Sequence, residues 1–203
     1  MLGLFRKSGR KASQKPGSLT ANTSDAKAVT GNGLCQPPLD ALCLPINDAQ
    51  LDQVLAAWSW LGLDGMHPVC ITPFGEPLLQ SASGHIVQID TLDGQLTEIA
   101  DSLQACRDRL ATPDGRDEIL LEGLVMTAQD RGLIPASGQC YDFRIPPILG
   151  GHLDPDNIEL ADIVTKAGFL SQVHRQIRAL PAGTSISGVQ IDPKTGTVQL
   201  ETV

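Results

Sequence analysis

The sequence has 203 residues, of which 41% are hydrophobic and 19% charged, with a formal net charge of −8. This composition is typical of a globular protein and excludes a chain that is disordered throughout. No apolar run approaches the roughly 20 residues of a membrane-spanning helix, and the first residues lack the features of a signal peptide. We therefore expect a cytoplasmic protein with one domain of ordinary size.

The charges are divided unevenly along the chain. Residues 1–30 hold six Lys or Arg and one acid, whereas the remainder holds nine basic and 22 acidic residues. Residues 1–46 are rich in small polar residues and lack periodicity, which predicts a disordered basic tail. Its first residues, MLGLFRK, suit either a solvated terminus or a weak contact with an anionic membrane. The acidic remainder disfavours nucleic acid as a direct ligand and favours a basic partner, although acidity of this kind also keeps proteins soluble.

The segment after the tail predicts one helix followed by an antiparallel meander. Asn47 or Asp48 is a suitable cap for a helix with apolar residues at helical spacing, which ends at Gly62. After Met66 the apolar period falls to two, which indicates strands. We predict four strands joined by turns that contain Gly, at 68–72, 76–80, 85–90 and 95–99.

The next stretch predicts two helices. The first is capped by Asp101 or Ser102 and is broken by the sequence TPDG at 112–115. The second runs from 117 to 131, with Gly132 as its C-terminal cap.

The elements predicted after these helices are strands, turns and one further helix. They are a strand at 141–145, turns at 146–151 and 154–157, a strand at 158–164, a helix at 169–180 that Pro181 ends, and hairpin strands at 185–191 and 197–201. In the first turn, Gly150 and Gly151 suit a positive φ or a close approach of backbone segments. The whole pattern predicts an α+β fold over residues 47–203, an antiparallel meander sheet with helices packed on one side.

The sequence offers no set of residues for catalysis or for holding a metal or cofactor. Its five Cys form no C-x-x-C pair, its four His lack the spacings of zinc sites, and no nucleophile motif is present. His174 lies at the rim of the apolar face of the last helix and is interpreted as a structural residue bonded to a backbone carbonyl of the turn it packs over. An enzyme would require a cleft in which His174 meets a carboxylate. We predict a non-catalytic protein without a cofactor.

The stretch from Pro146 to Gly183 combines Pro-Pro and Gly-Gly turns with polar residues at fixed places in the helix that follows. The residues that define this pattern are Pro146, Pro147, Leu149, Gly150, Gly151, Asn157, Asp162, Gln172, His174, Gln176, Leu180, Pro181 and Gly183. The pattern resembles the C-terminal domain of bacterial type VI secretion immunity proteins, those that neutralise nuclease effectors. The resemblance extends more loosely over residues 48–186, and the predicted tail stands where that family has a further N-terminal domain. We interpret the polar residues of the pattern as structural.

By this resemblance, the protein is expected to bind a cognate secreted toxin of the nuclease class and to block its active site. Acidic side chains on loops suit the basic substrate groove of such a toxin. The candidate contact residues are Asp154, Asp156 and Glu159 at the second turn, and Asp114, Asp117 and Glu118 at the loop between the two middle helices. The alternative is a regulatory or scaffold domain of the same fold, which the basic tail recruits to a membrane or to nucleic acid.

Overall fold

The computed structural model of the protein describes residues 43–203. Most of the predicted tail, with its proposed membrane contact, falls on residues 1–42 and lies outside this range. Residues 43–46 were predicted as tail but pack with the domain: the Leu44 amide donates to the Ile71 carbonyl at 2.9 Å, and Ile46 is fully buried. Leu44 and Ile46 flank a proline and show no periodic pattern, so the predicted start of the packed region was too late in the chain.

The described residues form five α-helices and eight strands. The helices are α1 (Asp48–Ala57), α2 (Leu103–Leu110), α3 (Pro113–Leu120), α4 (Glu122–Asp130) and α5 (Ile163–Ala179). The strands are β1 (His67–Ile71), β2 (Pro77–Gln80), β3 (Ile86–Asp90), β4 (Gln95–Ala100), β5 (Gln139–Phe143), β6 (Ile158–Asp162), β7 (Ile186–Ile191) and β8 (Val198–Thr202).

The predicted α+β class and antiparallel meander are confirmed. The four strands pair in the order β1-β2-β3-β4, and every neighbouring pair is antiparallel. The remaining strands do not extend this sheet. They form two separate two-stranded ribbons, β5–β6 and β7–β8.

Helices cover both faces of the meander, so the prediction of helices on one side is wrong. Leu78 and Leu79 are neighbours on β2 and are both buried, although successive side chains of a strand point to opposite faces. Leu78 packs with residues of α2 and α3, whereas Leu79 packs with residues of α1 and α5. A central strand that is buried on both sides needs apolar residues in succession, as here, rather than in alternation.

The helix predicted at 117–131 is two helices. Leu121 has φ 54° and ψ 45°, the left-handed conformation, which ends α3 and precedes α4. The break predicted at 112–115 is instead the start of α3, because the Thr112 hydroxyl accepts a hydrogen bond from the Gly115 amide at 3.1 Å. Pro113 then occupies the first turn of the helix, where its missing N–H costs nothing.

The last helix begins at Ile163, six residues before its predicted start. The Asp162 carboxylate accepts hydrogen bonds from the amide of Thr165 at 2.8 Å and from its hydroxyl at 2.9 Å. This N-terminal cap stops β6 and starts α5. Ile163 and Val164 were predicted as the end of the strand at 158–164 because β-branched residues favour strands, and the cap overrides that preference.

Candidate partner-binding surface

The turn segment 144–159 is fixed by Asn157. Its Oδ1 accepts from the Ile145 amide at 3.0 Å, and its Nδ2 donates to the carbonyls of Ile145 at 2.8 Å and His152 at 2.9 Å. One side chain therefore ties the two ends of the Pro-Pro, Gly-Gly turn together. The turn leads out of β5 and into β6, whose antiparallel ladder holds its ends.

The two glycines of this turn meet different structural requirements. Gly150 has φ 93°, which residues with a side chain rarely adopt. A Cβ on Gly151 would lie 1.7 Å from the Ile145 carbonyl oxygen, so no larger residue fits without moving the backbone. The predicted close approach of backbone segments is thus found at Gly151.

The fixed turn presents apolar side chains to solvent. Ile145 is 55% exposed and Leu153 is 51% exposed. Two open concavities adjoin them. One, of about 500 Å³, is lined by residues that include Ile145, Asp154 and Asp156; the other, of about 400 Å³, is lined by Asp90, Leu92, Asp93, Pro147, Ile148 and Leu153. Exposed apolar residues rimmed by polar ones are typical of a protein-binding surface.

The acidic residues predicted at the second turn, Asp154, Asp156 and Glu159, lie in this turn segment. Two of them pair with basic residues. Asp156 makes an ion pair with Arg131 of the segment after α4, and Glu159 lies 3.7 Å from the Arg144 guanidinium. Asp154 caps the short turn after it by accepting from the Asp156 amide at 2.7 Å. Surface ion pairs of this kind are weak, so these carboxylates remain available to a partner.

The second predicted acidic set lies on α3, a different element. Glu118 pairs with Arg109 at 2.6 Å, and the Asp117 carboxylate accepts from the Gly123 amide at 2.9 Å and so supports the start of α4. Asp114 is exposed in the first turn of α3, where a negative charge is favourable. Local folding therefore accounts for the positions of Asp117 and Glu118.

A buried polar network behind the turn segment was not predicted. The Glu76 carboxylate accepts from both the amide and the hydroxyl of Thr91, each at 3.0 Å, and from the side-chain amide of Gln88 at 2.5 Å. Burial raises the pKa of Glu76 above its usual range, and the positive charge of Lys166 partly offsets this rise. Glu76 thereby joins β2 to the end of β3.

Lys166 is the cation of this network and is only 4% exposed. Its Nζ donates to the carbonyls of Phe74 at 2.7 Å and Tyr141 at 3.1 Å and lies 3.4 Å from the Asp142 carboxylate. This ammonium group therefore binds α5 to the meander and to β5. The signal in the sequence was a lysine among the apolar positions 163, 167 and 170 of the helix.

Glu76 and Lys166 also line a narrow internal cavity beneath Pro146, Pro147 and Ile148. The cavity leaves about 10 Å³ for the centre of a water molecule, which is room for about one water. It therefore suits an ordered water rather than an organic ligand.

His174 is buried and bonds a backbone carbonyl, as predicted for a structural histidine. Its Nε2 lies 3.0 Å from the Thr91 carbonyl oxygen, which only accepts, so Nε2 carries the proton. The hydrogen-bonded turn is the one between β3 and β4, not the Gly-Gly turn. Burial lowers the pKa of His174, which favours the neutral ring, while the bond to Thr91 acts in the opposite direction.

Gln172 and Gln176 fasten the C-terminal hairpin to α5. The Gln172 amide accepts from the Val198 N–H at 2.9 Å and donates to the Gly196 carbonyl at 3.2 Å. The Gln176 amide accepts from the Leu200 N–H at 3.1 Å and donates to the Val198 carbonyl at 2.8 Å. The two side chains thus take the place of a neighbouring strand along β8.

Two features are absent from residues 43–203. No helix there combines the length and apolar character required to cross a membrane. No group of three or more His, Cys, Asp or Glu residues within the same range is arranged to hold a metal ion.

Residues 100–174 match the family model described as "T6SS immunity protein Tdi1, C-terminal". The match runs from the end of β4 to His174 in α5, contains the turn segment and Lys166, and supports the resemblance to type VI secretion immunity proteins. Among solved structures, the crystal structure of Atu4351 from Agrobacterium tumefaciens is similar at 18% identity over 73% of this chain and 72% of that chain, with a TM-score of 0.39. No curated protein matches the chain significantly.

Proposed function

We propose that this protein is an immunity protein of a type VI secretion system, which neutralises a cognate toxin in the cytoplasm by binding it. The observation that carries the proposal is the match of residues 100–174 to the immunity family. These residues build α2, α3, α4, the β5–β6 ribbon and most of α5. The matched region therefore contains both the turn segment 144–159 and the framework that supports it. Such a protein acts by occupying a surface of the toxin and needs no catalytic group of its own.

The toxin class that the charges favour is a nuclease. Residues 43–203 hold nine Lys or Arg and 21 Asp or Glu. A nuclease binds the phosphates of its substrate through basic side chains, and an acidic protein complements that groove. For the same reason we expect residues 43–203 not to bind nucleic acid directly.

The contact surface that we propose is the turn segment with its two concavities. Leu153 is an exposed apolar residue that lines one concavity together with Asp90 and Asp93, while Asp154 and Asp156 line the other. Apolar contacts in the middle of an interface supply most of its affinity, while charges at its rim speed association. Because Asn157 holds the turn in place, binding costs little ordering of the backbone.

The test is co-expression with candidate toxins from the neighbouring genes, followed by measurement of any purified complex. The double variant Asp154→Asn/Asp156→Asn removes both charges, while the amide oxygen introduced at position 154 still serves as the capping acceptor. We expect association with the toxin to slow about tenfold at low salt, and Leu153→Ala to speed dissociation about tenfold.

The matched control is Asp114→Asn/Asp117→Asn, which removes two charges from α3 and retains the acceptor for the Gly123 amide. It should bind the toxin like the unaltered protein. A neighbouring toxin that is neither bound nor neutralised would show that the immunity proposal is wrong. Toxin binding that only the α3 variant weakens would leave immunity standing and refute the choice of surface.

A further inference from the structure

The two outer edges of the β7–β8 ribbon differ in their hydrogen bonding. Along β8, the outward N–H and C=O of Val198 and the N–H of Leu200 are bonded to Gln172 and Gln176. Along β7, no group within residues 43–203 bonds the corresponding outer edge. One edge of the ribbon is thus closed by side chains and the other is open.

The groups that point outward from β7 follow from the register. Val189 is opposite Leu200, and Ile191 is opposite Val198. In an antiparallel pair, residues directly opposite each other either both bond across the pair or both point away from it. Since Val198 and Leu200 point away from β7, the N–H and C=O groups of Val189 and Ile191 point away from β8.

The second half of the open edge lacks the features that usually prevent a strand from pairing with another chain. Residues 188–191 contain no charged residue and no proline, and Ile191 is 56% exposed. The register shift between Ile186 and Gly188 limits regular pairing to the residues that follow it. The segment available for pairing is therefore short and centred on Gln190.

We propose that β7 pairs with β7 of a second copy of this protein, which makes a weak two-fold dimer with a continuous four-stranded ribbon. The edge is self-complementary, because a two-fold axis at Gln190 places Val189 of each copy opposite Ile191 of the other. Each of these two residue pairs exchanges two hydrogen bonds, and no charged side chain meets its like within the paired segment.

The surroundings of β7 leave room for this partner. An open groove of about 390 Å³ separates the first half of β7 from Ile148, Leu149 and Gly150. In the two-fold arrangement, residues 192–194 of the second copy lie opposite residues 186–188, so the tip of its hairpin enters this groove. The pairing involves few residues, and each chain carries a net charge of −8, so we expect the association to be weak and to strengthen with added salt.

Sedimentation of the full chain across a concentration series, at low salt and at high sodium chloride, measures the association. Val189→Pro and Ile191→Pro each remove one outward N–H and spare the hairpin ladder. We expect each variant to weaken dimerisation about tenfold or more. Each substitution removes one N–H donor from each of the two chains, and thus two of the four hydrogen bonds between them. The control Val189→Thr keeps the N–H and a β-branched side chain, and it should dimerise like the unaltered chain.

Hydrogen exchange of the unaltered protein provides a second measurement that does not depend on whether the proline variants fold. The Val189 and Ile191 amides should become protected as concentration rises. The Leu200 amide, which is already bonded to Gln176, should not change. A chain that stays monomeric to millimolar concentration overturns the proposal, as does a dimer that both proline variants retain. Protection of Val189 and Ile191 at all concentrations would show that another segment of the same chain covers the edge, and protection only in a toxin complex would assign the edge to the toxin.

Discussion

Replacing Gln172 and Gln176 by Met tests how the C-terminal hairpin is held on α5. Met has a similar length and helix propensity but lacks the amide, so each substitution removes only the polar contacts. Each glutamine makes two hydrogen bonds with backbone groups of the hairpin segment. At about 1 kcal/mol net for each bond, one substitution costs about 2 kcal/mol and the pair costs up to about 4 kcal/mol. Water can replace part of this loss because the contacts are only partly buried.

Urea denaturation gives the free energy of unfolding, and hydrogen exchange shows whether the loss is local. We expect the double variant to release the hairpin first, so the Val198 and Leu200 amides exchange faster than those of the meander. The control is Gln104→Met in α2, since Gln104 is exposed and, among residues 43–203, its side-chain amide bonds only Asp108 of the same helix. If the double variant unfolds at the same urea concentration as this control and keeps Leu200 protected, the two glutamines do not hold the hairpin.

Two further predictions concern a glycine and a histidine of the same pattern. Gly151→Ala should destabilise the protein by at least about 2 kcal/mol, because the added Cβ would meet the Ile145 carbonyl. Gly168→Ala should instead stabilise the protein by about 1 kcal/mol, because Gly168 lies inside α5 with open space around it. Thermal unfolding of the two variants compares these effects. Burial lowers the pKa of His174 from its ordinary value of 6.5, so its contribution to stability is complete above pH 6.5 and is lost as the pH falls through the lowered pKa. Urea denaturation from about pH 7.5 down to about pH 5 should therefore show a steeper acid loss of stability in the unaltered protein than in His174→Gln, and parallel curves would refute this assignment.

Local signals in the sequence were enough to predict the meander and the start of the first helix, although α1 ends at Ala57 and a short 3-10 helix at Ser59–Leu61 precedes the predicted end at Gly62. Asn47 and Gln50 form a reciprocal cap at α1, with bonds of 2.9 and 3.2 Å. Gly75, Gly84 and Gly94, which mark the three turns of the meander, all have positive φ. Each of these features depends on residues close together in the chain, and such features can be predicted from the sequence.

The sequence did not predict features that depend on distant residues. Lys166 bonds the Phe74 carbonyl, 92 positions away, and nothing near Lys166 in the sequence indicates that acceptor. The left-handed Leu121 was missed because leucine favours helix and its neighbours continue a helical pattern. For the candidate surface, the sequence predicted Asp154 and Asp156 of the turn, but the exposure of Leu153 and the concavity that it lines with Asp90 and Asp93 depend on the folded structure.

The pattern from Pro146 to Gly183 separates two kinds of residue that the sequence alone does not distinguish. Asn157, His174 and Gln176 each direct their polar atoms to backbone groups of other segments, so their substitution should change stability first. Leu153 and Asp154 lie on the same rigid turn but contribute little to the core, so their substitution should change binding and leave stability nearly unaltered. Measuring stability and toxin binding in both groups of variants would therefore distinguish the framework of the domain from its contact surface. Substitution of a contact residue should lower the affinity for the toxin in a protein that unfolds like the unaltered one.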